Sequence, residues 1–145
     1  MDINKNAVLK TSKEIEIHAP VTTVWKIHSD INTWEKWHPD ISSALLKGTL
    51  EAGSTFEWKS DGYKLKSTIM EAAENNILGW KGAGFGASAI HVWEFITLDN
   101  GNTLVRTKES MDGWLVKLFK GMMNKKLNDS LDTWLTALKD QSESK

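Results

Sequence analysis

Two hairpins with readable strand registers, followed by one long amphipathic helix, constrain this 145-residue chain more than any other feature. Asp61-Gly62 is a two-residue turn of the kind that closes tight hairpins. It joins Thr55–Ser60 to Tyr63–Ala72, and pairing Ser60 with Tyr63 sets Trp58 opposite Leu65, Phe56 opposite Ser67 and Glu57 opposite Lys66. One face is then largely apolar and the other carries an opposite-charge pair, an agreement that specifies register. Asp99-Asn100-Gly101 closes the second hairpin, with glycine at the left-handed position. Pairing Leu98 with Asn102 brings Phe95 to Val105, Trp93 to Thr107 and His91 to Glu109. On the opposite face Glu94 meets Arg106, the single arginine, and a slip of one residue would lose that pair.

The remaining elements follow from periodicity. Residues 11–18 alternate, with Ile15 and Ile17 on one face and Glu14, Glu16 and His18 on the other, which is a half-buried strand. Pro20 suits the first turn of a helix carrying Val21, Val24, Trp25 and His28 at helical spacing. Asn32 with Glu35 three residues on predicts a capped second short helix, which His38-Pro39 ends. From Leu115 to about Gln141 the apolar stripe Leu115, Leu118, Phe119, Met122, Leu127, Leu131, Trp134, Leu135 and Leu138 predicts one continuous helix. At 1.5 Å per residue it spans roughly 40 Å, enough to cross a small sheet. Gly121-Met122-Met123 interrupts the stripe and is expected to face a cavity, the alternative being close packing against a strand. The fold class is α+β: a curved antiparallel sheet of six to seven strands around a long C-terminal helix, with two short helices after the first strand. One helix does not fill a wide curved sheet, so a void between them is expected.

Eight tryptophans accompany a single tyrosine, and what they do decides whether that void exists. Trp25, Trp58, Trp80, Trp93 and Trp134 sit where periodicity points side chains inward, while Trp114, just before the long helix, is the best candidate for an exposed contact. Buried indoles make either an aromatic core or the wall of an apolar small-molecule site.

Composition narrows the function classes. The length suits one domain, residues 1–145 with a core over about 11–141. A net charge of −1 gives no electrostatic reason to expect nucleic acid or an anionic membrane as partner. Without cysteine there is no disulfide or thiolate chemistry. Four histidines without paired spacing argue against a metal site, and no cofactor is expected. The start lacks the apolar run of a signal peptide and no stretch is long enough to span a bilayer, so the expectation is a cytoplasmic protein, monomeric or a weak homodimer.

The segment Glu14-Ile15-Glu16-Ile17-His18-Ala19-Pro20, with Trp25, Asp30 and Trp37-His38-Pro39, resembles the opening of the polyketide cyclase/dehydrase-like group of the START-like helix-grip (SRPBCC) superfamily. Gly53 before Phe56-Glu57-Trp58, Leu78-Gly79-Trp80 and His91-Val92-Trp93-Glu94-Phe95 continue the likeness. So do Gly101-Asn102-Thr103, Glu109-Ser110 followed by Gly113, and the closing Leu135-Thr136-Ala137-Leu138-Lys139. The resemblance covers roughly residues 11–141 as many weak matches. It implies the helix-grip fold and a hydrophobic ligand cavity. It implies no reaction, because members include cyclases, carriers and ligand sensors.

Among chemistry-bearing residues, His91 and Glu109 are the sharpest pair. As cross-strand neighbours about 5 Å apart they reach hydrogen-bond distance. Such a pair can move a proton in a cyclisation or dehydration, orient a ligand, or close a core hydrogen bond. Ser67, Thr107 and Tyr63 on the inner faces are candidate donors to a ligand oxygen, or partners for indole and backbone groups. Phe56, Trp58, Trp80, Trp93, Phe95 and Met122 are the expected walls, with Trp37 near the mouth. The leading expectation is a carrier or sensor of a small hydrophobic or aromatic molecule. A cyclase or dehydratase using His91 and Glu109 as acid and base is the first alternative. A protein-interaction module is the second.

Overall fold

Alternating strands and glycine-bearing turns build the larger part of the molecule. The computed structural model describes residues 1–144. In chain order its elements are β1 (Leu9–Ile17), α1 (Val21–Ser29), a single 3-10 turn (Ile31–Thr33), α2 (Trp34–Trp37), β2 (Ile41–Lys47) and β3 (Thr55–Ser60). Then come β4 (Tyr63–Ala73), β5 (Ile77–Gly84), β6 (Ala87–Thr97), β7 (Thr103–Asp112), α3 (Trp114–Leu118) and α4 (Lys120–Glu143). The strands form one antiparallel sheet in the order β1-β7-β6-β5-β4-β3-β2. Helix α4 packs against β1 and α1, closing the sheet's inner face. This is the helix-grip arrangement.

Both hairpin registers are those expected from the chain. Asp61 and Gly62 have φ of 50° and 83°, the paired positive values of a turn whose twist matches its strands. On the outer face Arg106 reaches Glu14 at 3.0 Å. Register shifts at Ile41/Ser43 and Ile69/Glu71 add local twist to β2 and β4.

Three local expectations are corrected. Asn32 does not cap a helix; it lies inside the 3-10 turn, and its Oδ1 accepts the Leu46 N–H at 2.8 Å, tying the turn to β2. Thr33 holds the cap position without a capping side-chain bond, its hydroxyl donating instead to the Asp30 carbonyl at 2.8 Å. The C-terminal helix is not continuous: it breaks at Phe119 (φ −114°, ψ 36°), two residues before the glycine. The break turns Leu118, Phe119 and Met122 outward, so the first part of the expected apolar stripe is exposed. Gly121 faces open space rather than a cavity. His28, on the same helical stripe as Val24 and Trp25, is fully buried.

The interior has two apolar clusters. The larger joins α1, α2 and the C-terminal half of α4 to the sheet through Trp25, Trp34, Trp80, Trp93, Trp134, Phe56 and Phe95. Trp134 is its hub, with Trp34, Trp93 and the His38 ring at centroid distances of 5.0, 5.3 and 4.4 Å, mostly edge to face. Such geometry adds about 0.5–1.5 kcal/mol per aromatic pair beyond area burial. Trp34, which periodicity did not mark as inward, is fully buried because α2 turns it under the sheet, where its Nε1–H donates to the His28 carbonyl at 2.8 Å. The smaller cluster gathers Leu9, Val116, Leu127 and Leu131, with Met111 and Met123 against it.

Candidate functional site

Between the two clusters the sheet and α4 leave a cavity of about 400 Å³. Strand alternation explains where it lies. On β5 the inward series is Trp80, Gly82, Gly84, and on β6 it is His91, Ala89, Ala87. Large side chains fill the space near one end of each strand, and glycine or alanine leaves it empty towards the other. Trp58, Trp80 and Trp134 form the inner wall, while Met111, Met123 and Leu127 form the opposite one. The cavity runs out between the tips of the β3–β4 and β5–β6 hairpins and the start of α4.

His91 and Glu109 both face this space. The His91 Nδ1 lies 3.1 Å from Glu109 Oε1, and its Nε2 is 2.7 Å from Thr107 Oγ1. Burial pushes the Glu109 carboxyl up to about 8 and the His91 imidazole down to about 3. Both shifts favour the pair that has kept a proton and carries no net charge near neutral pH. In that state the Glu109 O–H donates to Nδ1 and the Nε2–H donates to the Thr107 hydroxyl. The second carboxyl oxygen remains for a ligand. The site can therefore present a polar, uncharged anchor inside an apolar chamber.

The other expected site residues divide between wall, core and rim. Ser67 lines the cavity and accepts the Trp58 Nε1–H at 3.1 Å, leaving its own hydroxyl proton to donate elsewhere. Phe56, Trp93 and Phe95 belong to the aromatic core behind the cavity rather than to its surface. Thr107 is fully buried behind His91. Tyr63 lies on the inner face by parity, yet it is at the hairpin tip and 64% exposed, with Lys126 Nζ 5.9 Å from its ring centroid. Met122 is 55% exposed, and its neighbour Met123 lines the cavity instead, because the break at Phe119 rotates the stripe. Trp37 faces a separate open groove with Pro39 and the C-terminal half of α4. The cavity residues missed from sequence include the walls Trp134, Met111 and Leu127 and the small residues Gly82, Gly84, Ala87 and Ala89. Small residues recurring at every second position were the available signal. Among the described residues no cluster of three or more histidines and carboxylates is placed to hold a metal ion. Among the described residues no helix is long and apolar enough to cross a membrane.

A family described as polyketide cyclase/dehydrase and lipid transport matches residues 8–143, nearly the whole fold just described. The chain belongs to this family. As a polyketide cyclase-like protein it shares its fold with several solved structures. A hypothetical protein of Helicobacter pylori aligns with a TM-score of 0.82 at 22% identity, covering 95% of this chain and 90% of that one. A START superfamily protein from Mycobacterium smegmatis aligns at 0.79 and 17% identity, covering 93% and 97%. The Zhui aromatase/cyclase of Streptomyces sp. R1128 aligns at 0.80 and 12% identity, covering 93% of each chain. At these identities the likeness is one of fold. No functionally curated protein matches the sequence.

Proposed function

We propose that this polyketide cyclase-like protein is a carrier or sensor for a small hydrophobic or aromatic molecule held between the sheet and α4. The observation that carries the reading is the cavity of about 400 Å³ walled by Trp58, Trp80 and Trp134. That size fits a few fused rings or a medium acyl chain, and apolar burial at about 25 cal/mol per Å² would supply most of the affinity. Glu109, held neutral beside His91, would accept a hydrogen bond from a ligand hydroxyl or N–H on its free carboxyl oxygen and so set the ligand's orientation. The reading takes the protein to be cytoplasmic, and a monomer or weak homodimer.

The test has two parts. Native mass spectrometry of the purified chain should reveal a co-purified small molecule. Titration with 1-anilinonaphthalene-8-sulfonate should quench the wall tryptophans in a saturable way. Ala89→Leu, which fills the floor of the cavity, should abolish the quenching while leaving the melting temperature near the parent's. Unchanged quenching in that variant would remove the cavity from the account.

A second reading is supported by one observation, the opposed shifts of His91 and Glu109 inside a cavity, an arrangement common where protons are moved. In a cyclase or dehydratase the pair would shuttle a proton between His91 Nδ1 and the substrate. His91→Ala would then abolish turnover while leaving ligand affinity within a few-fold. A carrier would lose affinity or nothing.

A further inference from the structure

We infer that the open end of the cavity is a docking surface for an anionic lipid bilayer. Seven of the eleven exposed large hydrophobic side chains among the described residues fall in three short segments, 63–65, 85 and 114–122. The fold brings these segments to one place. The Phe85 ring meets Trp114 edge to face at 5.2 Å, and the Leu115 N–H donates to the Gly86 carbonyl at 3.0 Å. Across the opening Lys126 stands over Tyr63. Phe85, Leu118 and Trp114 are 83%, 67% and 55% exposed, so they form a raised apolar lip rather than a fringe of the core.

Charge supplies the second, independent observation. Residues 59–66, 81–88 and 112–126, which carry this lip, hold eight lysines against two aspartates, although the chain as a whole is −1. The rest of the chain is therefore acidic, and the whole-chain charge conceals a basic end. Among the described residues only one of these eight lysines is ion-paired, Lys125 with Asp129 at 2.7 Å. Aromatic side chains flanked by unpaired lysines match the interface of an anionic membrane, where rings sit at headgroup depth and ammonium groups reach lipid phosphates and carboxylates. Leu65 and Lys126 line the cavity, and Phe85 and Met122 adjoin its lining residues Gly84 and Met123, so the lip borders the mouth and docking would place that mouth against the bilayer. The inference goes beyond ligand carriage and does not require it.

Sedimentation of the full chain with vesicles tests it. Vesicles of phosphatidylcholine with about one-third phosphatidylserine should bind the protein, and phosphatidylcholine alone should bind it at least about tenfold more weakly. Salt at about 1 M, where screening acts within about 3 Å, should remove most of the difference. Phe85→Ser with Leu118→Ser, and separately Lys117→Glu with Lys120→Glu, should each reduce binding about tenfold or more. These side chains are exposed, so melting temperatures should stay near the parent's. Leu45→Ser, at an apolar residue on β2 that is 57% exposed, should bind as the parent does. Ala89→Leu should also bind vesicles normally, which separates this inference from the cavity reading. Absence of binding to the anionic vesicles overturns the inference, as do lip variants that bind like the parent. A dimer that Phe85→Ser dissociates, with no vesicle binding, overturns it in favour of a second copy of the chain.

Discussion

His91 and Glu109 sit opposite each other on β6 and β7 with 3.1 Å between Nδ1 and Oε1, and both open onto the cavity. The imidazole is pinned from its other side by Thr107, so its ring plane is set before any ligand arrives. Replacing Glu109 with alanine leaves Nδ1 buried without its partner and removes the anchor. Affinity for a hydroxyl-bearing aromatic ligand should fall about tenfold, corresponding to about 1.4 kcal/mol. Glu109→Gln, which keeps a donor to Nδ1 and an acceptor oxygen for the ligand, should lose less. Tryptophan quenching titrations of the two variants provide the comparison.

Acid and alkali should act on stability through different groups. Burial lowers His38 to about 4 and His28 well below 6.5, and neither ring nitrogen of His28 has a hydrogen-bond partner. A histidine whose folded value is depressed gains protons on unfolding, so acid favours the unfolded chain. Stability should fall as pH drops from about 6.5 towards 4, by up to about 1.4 kcal/mol per pH unit for each such group. Glu109 has a raised folded value, so its contribution is full below pH 4.5 and is lost as pH rises towards about 8. Urea unfolding across this range should show Glu109→Gln flattening the alkaline side only.

The junction of the β5–β6 turn with α3 depends on two glycines. Gly113 has φ 122°, and a Cβ there would lie 2.3 Å from the Gly86 carbonyl oxygen. Gly86 has φ 70°, and its Cβ would meet the Trp114 ring at 2.7 Å. Gly113→Ala should destabilise the protein by about 2–4 kcal/mol in denaturant unfolding. Gly121→Ala is the contrast. It sits in an exposed helical turn facing open space, so alanine should stabilise by about 0.5–1 kcal/mol without changing ligand binding.

Trp134 joins α4 to Trp34, Trp93 and His38 at once. Its replacement by alanine should cost about 3–5 kcal/mol, the range for a large aromatic removed from a packed core. Trp114→Ala, at 55% exposure, should change stability by less than about 1 kcal/mol. Thermal melts of the two variants measure the difference between a core indole and a rim indole.

The helix-grip fold was legible in the chain because its signals are local. A hairpin register depends on turn residues and on which side chains face each other, and both are written within a dozen positions. The pairing of His91 with Glu109, and hence the centre of the candidate site, came from that source alone. Asn32 was misread because a capping box looks the same whether the residue lies before a helix or inside a 3-10 turn. The assignment of individual indoles was not legible. Phe56, Trp93 and Phe95 alternate inward just as Trp58 and Trp80 do, yet only the second pair borders empty space. Alternation states which way a side chain points. It does not state whether anything stands opposite, which depends on how α4 crosses the sheet and where it breaks. Turn chemistry and periodicity therefore determined the strands, their partners and the acid–imidazole pair. The packing of distant segments decided the cavity, its rim of exposed aromatics and the basic end that a net charge of −1 averages away.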